Sequence, residues 1–111
     1  MKDSRQAPLF TAAWDLAAWV LKQLGGDAAV LPAALCTECL TLLDAVVLAL
    51  KDIDRRENLA AADLCLIRLR MRLRLAAETG VLEQRQSLFL LAQADDIGRQ
   101  IGGWLKTLDG A

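Results

Sequence analysis

A chain of 111 residues is the length of one domain, and at that length folding buries roughly two thirds of the unfolded surface, so no disulfide or metal staple is needed. Hydrophobic residues make up 55 % of it and aromatic residues 5 %, with 14 acidic against 13 basic side chains and no histidine. That balance leaves a core of Leu, Ala, Val and Ile, favours helix over sheet, removes the commonest metal ligand and general base, and gives the whole chain no electrostatic pull toward nucleic acid.

The charge is not evenly spread. Residues 1–54 carry four Lys/Arg against seven Asp/Glu, and residues 55–111 carry nine against seven. Any attraction to phosphates must come from the second half. No stretch reaches the roughly 18 uninterrupted apolar residues of a membrane span, and Met1–Phe10 lacks the apolar run of a secretion signal, so the expectation is a cytoplasmic protein with no membrane partner. Cys36, Cys39 and Cys65, an odd number without an export signal, are expected as reduced thiols packed like small apolar groups.

Breaks at Gly25-Gly26-Asp27, Asp54–Asn58 and Thr79-Gly80 leave four segments of helical length. Short connections between four helices predict a single all-α domain over residues 1–111, an antiparallel up-and-down four-helix bundle.

Helix one, about Leu9–Leu24, places Phe10, Ala13, Trp14, Ala17, Val20, Leu21 and Leu24 at helical spacing, with Gly25 past its end. Trp19 falls on its polar side, between Asp15 and Lys22. Helix two starts near Pro32, a residue tolerated in a first turn, and aligns Leu35, Cys39, Leu42, Leu43, Val46, Leu50 and Ile53.

Helix three alternates apolar and basic residues from Ile67 to Leu75, as a half-buried strand would. The alanines at 60–62 and 76–77 and the near absence of β-branched residues make it a helix instead. Wound at about 100° per residue, the alternation resolves into two opposed apolar stripes separated by basic flanks. One stripe is Ala60, Leu64, Ile67, Met71 and Leu75; the other is Ala62, Leu66, Leu69, Leu73, Ala76 and Ala77. Arg68 and Arg72 lie on one flank, and Asp63, Arg70 and Arg74 on the other. One bundle buries one stripe, so Leu66, Leu69 and Leu73 are expected, with Trp19, at an interface between subunits; the alternative is a helix sunk deeper in its own bundle.

Helix four, about Glu83–Leu108, aligns Leu90, Leu91, Ala94, Ile97, Ile101, Trp104, Leu105 and Leu108, and turns Leu88 and Phe89 outward. Its glycines Gly98, Gly102 and Gly103 cost about 1 kcal/mol each against alanine, which calls for a compensating contact. Gly98 and Gly102 share a stripe where a neighbouring backbone or ring can approach closely. Gly103 projects beside Asp96 and Arg99, where a second subunit fits.

Catalytic patterns are weak. Cys36-Thr37-Glu38-Cys39 has redox or zinc spacing but lies inside a helix without a second pair. Asp95 and Asp96, adjacent in sequence, diverge by about 100° and form a solvated face rather than a shared site. With no phosphate loop or nucleophile motif, a non-enzymatic protein without metal or cofactor is expected.

Ala62-Asp63, Leu69-Arg70, Leu73-Arg74 and the block Asp96-Ile97-Gly98-Arg99-Gln100-Ile101-Gly102-Gly103-Trp104-Leu105-Lys106 resemble the signature of a bacterial four-helix-bundle family. It includes the accessory variability determinants of diversity-generating retroelements and the proteins of ribosomal RNA intervening sequences. The resemblance implies a homopentameric ring that binds a reverse transcriptase and its RNA template or complementary DNA. It also implies structural roles for Asp63, Asp96, Gly98, Gly102 and Trp104. The first half departs from the family, with Ala33 and Ala34 after Pro32 where basic residues are usual.

The arginines Arg68, Arg70, Arg72, Arg74 and Arg99 are the candidates for nucleic acid or partner binding. We expect Asp63 and an acid of a neighbouring helix to hold Arg70 and Arg74, leaving Arg68 and Arg72 for phosphates. The alternatives are an intervening-sequence protein, and a scaffold whose arginines are spent on ion pairs. A thiol redox enzyme comes last.

Overall fold

The computed structural model describes residues 7–110. They form four helices, α1 (Pro8–Leu24), α2 (Val30–Leu50), α3 (Arg55–Glu78) and α4 (Gln84–Gly110). Each packs against two neighbours, α1 and α3 both lying between α2 and α4. The bundle measures 45 × 22 × 20 Å, its long axis set by α4, whose 27 residues span about 40 Å at helical rise.

The connections fall at the breaks the sequence marks. Pro8 opens α1, where a first-turn residue has no intrahelical N–H bond to lose. Pro32 is the third residue of α2, still within the turn whose amides lack intrahelical partners. Before it, the Asp27 carboxylate accepts the Ala29 N–H at 2.9 Å, an Asx turn that sets the entry to α2. Between α2 and α3, Asp52 and Asp54 take left-handed backbone angles, φ 62° and 43°, which aspartate tolerates better than most residues. Gly80, at φ 82°, ends α3 with a conformation that suits glycine. The return is locked by the Ser87 hydroxyl, which donates to the buried Leu73 carbonyl at 2.7 Å.

The core is aliphatic, as the composition demands. Leu9, Leu16, Leu35, Leu42, Leu59, Leu66, Leu69, Leu73, Leu90, Ile97 and Ile101 are fully buried, each worth about 1.5–3 kcal/mol relative to exposure. Val30–Leu50 is the one helix among the described residues long and apolar enough to cross a membrane, with mean hydropathy 1.9. It is also the helix that both α1 and α3 cover.

Two helices are turned relative to the expected faces. In α1 the inward face is Leu9, Ala13, Leu16, Ala17, Val20 and Leu24, so Phe10 is half-buried and Trp14 is 54 % exposed. Those two rings stack on each other at 5.7 Å. Trp19 is half-buried beside Phe89, with centroids 6.2 Å apart.

In α3 the stripes exchange roles. Leu66, Leu69 and Leu73 are fully buried in their own bundle, so they are core residues and not subunit interface. Leu64, Ile67, Met71 and Leu75 stand outward, 46 to 60 % exposed. The reason is width. Leu59 and Cys65, also buried, extend the Leu66 stripe to an arc of about 120°, while the opposite stripe spans about 80°, and an inward face of a bundle helix takes about 100° or more.

Candidate interaction surface

The outward row of α3 runs Leu64, Ile67, Met71, Leu75, at spacings of three and four residues that keep it on one side of the helix. Arginines flank it on both edges, and their positions are set by what α2 and α4 offer them.

On the α2 edge, Glu38 is 5 % exposed and its carboxylate is held twice. Arg68 Nε donates to Glu38 Oε1 at 2.8 Å and Arg72 Nη1 donates to the same oxygen at 2.8 Å. A buried carboxylate requires such partners, because desolvation without them costs several kcal/mol. The hydrogen bond to Glu38 pushes the Arg68 guanidinium pKa further up. Arg68 and Arg72 are therefore engaged within the chain, against the expectation that they are free for phosphates. The helical reading of α2 missed Glu38 because it treated the residue only as the middle of a Cys-x-x-Cys spacing. An acid next to the buried positions Leu35, Cys39 and Leu42 was the available signal.

On the α4 edge, Arg70 Nε donates to Asp95 Oδ1 at 2.9 Å. Asp63, expected to hold Arg70, makes no hydrogen bond or ion pair among the described residues, since the acid of α4 reaches the guanidinium instead. Gly98 explains how. A Cβ at this position would stand 2.6 Å from Arg70 Nη2 and 3.7 Å from Leu66 Cδ1. The glycine thus makes room for a guanidinium crossing from α3, rather than for a backbone or a ring.

Arg74 is exposed and has no ion-pair partner among the described residues. It borders a shallow depression with Arg70, Met71, Leu75 and Glu78.

The remaining residues of the Gly-Arg…Gly-Gly-Trp block are dispersed along α4. Arg99 is largely exposed, 3.5 Å from Asp96, and Asp96 also accepts from Gln100 Nε2 at 3.0 Å. Gly102 and Gly103 face open space in the single chain. Trp104 is half-buried under Arg55, whose Cζ lies 5.0 Å from the ring centroid. Arg55 in turn donates to the Ala49 carbonyl at 2.8 Å, so Trp104 pins the α2–α3 turn to the end of α4. Arg56 pairs with Asp109 nearby.

A second surface lies between α1 and α4. Ala12, Asp15, Phe89, Ala92, Gln93 and Asp96 line an open groove of about 600 Å³, closed at one end by Pro8 and Gln100. Its lining includes the small residues Ala12 and Ala92, and its charged residues are Asp15 and Asp96. Gln93 Oε1 is buried there without a hydrogen-bond partner.

The cysteines are free thiols, all buried. Burial pushes the Cys39 thiol up to about 12, with smaller contributions from Cys36, Glu38 and Cys65, and also raises Cys36 and Cys65. Cys65 Sγ lies 3.5 Å from Arg68 Nη2. A thiol held protonated is a poor nucleophile and a poor metal ligand. Among the described residues no three His, Cys, Asp or Glu side chains gather as a metal site.

Comparison with protein-family models, with curated proteins and with solved structures finds no match to this chain.

Proposed function

We propose that the chain is a non-enzymatic, cytoplasmic interaction protein that assembles with copies of itself and serves as the accessory subunit of a diversity-generating retroelement, a ring of five antiparallel bundles partnering a reverse transcriptase and its RNA template or complementary DNA. The observation that carries the assembly is the outward row Leu64, Ile67, Met71 and Leu75. An apolar row of this kind edged by charge is what an interface offers and what an isolated surface helix lacks. Antiparallel packing is supported by the ion pairs Arg56–Asp109 and Arg70–Asp95, whose positions rise along α3 as they fall along α4.

The retroelement assignment draws on the Gly-Arg…Gly-Gly-Trp block, and nucleic-acid contact falls to Arg74 and Arg99, the arginines of that pattern left largely open to solvent. Gel shift with single-stranded RNA at low salt tests this. The parent binds, and an Arg74→Ala, Arg99→Ala chain loses affinity with a logarithmic salt slope smaller by about 0.7 for each lost phosphate contact. A parent that binds no RNA at low salt removes this role.

A second reading, an oligomeric scaffold without nucleic acid, is favoured by one observation. Three of the four arginines between Arg68 and Arg74 are already paired, two with Glu38 and one with Asp95.

A further inference from the structure

We draw no further inference here: the strongest candidate, the exposed apolar row Leu64, Ile67, Met71 and Leu75 on the outer side of α3, is flanked by arginines already held by Glu38 and Asp95, and nothing in the structure shows what covers it.

Discussion

Single residues in this chain act through what they leave room for as much as through what they touch. Gly98 is the clearest instance. Its missing Cβ admits the Arg70 guanidinium on its way to Asp95, so alanine there displaces only the tip of a flexible side chain. Gly98→Ala is expected to change stability by less than about 1 kcal/mol, since the gain in helix propensity offsets a surface ion pair. Gly98→Leu is expected to cost about 1–3 kcal/mol by overpacking against Leu66. Urea denaturation of the two variants separates these outcomes. Gly103, with open space around it, is expected to accept alanine with equal or greater thermal stability, and loss of assembly in that variant would mark it as a contact between copies.

Glu38 lies at the opposite extreme, a carboxylate whose removal strands two arginines. Glu38→Ala is expected to lower stability by about 1–3 kcal/mol, less than for a fully buried pair because Arg68 and Arg72 remain partly in water. The cysteines add a pH dependence of definite sign. Burial raises Cys39 from 9.0 to about 12, so folded and unfolded chains are both protonated below about 9 and the stability is fully present there. It falls as the pH climbs from about 9 towards 12, where only the unfolded thiol ionises. Chemical denaturation with Cys39→Ser as the control measures that loss. A parent and a Cys39→Ser variant with the same alkaline slope would contradict it.

At the scale of the element, α3 carries two apolar faces, one buried and one exposed. Its length and helicity were legible in the alanine-rich flanks and the lack of β-branched residues. Which stripe faces inward was not, because each stripe is apolar and periodic and both satisfy the same spacing. The deciding residues are Leu59 and Cys65, which widen one arc and not the other. The arginines gave a further signal, since Glu38 needs cationic partners on the α2 side. In α1 the helical spacing points Trp14 inward, but this large apolar ring stands 54 % exposed against Phe10. Size drew it into the expected core, whereas a slender four-helix core built from leucine takes Leu9 and Leu16 instead. These assignments separate two classes of variant. Leu69→Ala is expected to cost about 2–5 kcal/mol through the cavity it leaves. Ile67→Ala, on the outward row, is expected to leave the melting of a single bundle within about 0.5 kcal/mol.

For the whole molecule, the helix number, the breaks and the aliphatic core follow from composition and turn residues. The surface that matters follows only from how the helices are rotated in the bundle. Leu66, Leu69 and Leu73, expected at an interface, are core, the exposed apolar row lies on the other side of α3, and the arginines expected to be free, Arg68 and Arg72, are tied to Glu38. The groove between α1 and α4 is formed by residues from two distant segments, Ala12 and Asp15 with Phe89, Ala92 and Asp96, and no local pattern announces it. What unites these features is a bundle that leaves an apolar row exposed on α3 and a groove open between α1 and α4. The most direct measurement is the solution mass of the parent at micromolar concentration by light scattering. Self-assembly through α3 predicts a multiple of 12.1 kDa, collapsing to a single helical chain with Ile67→Glu; a parent that runs at 12.1 kDa, or an Ile67→Glu variant that keeps the parent's mass, contradicts it.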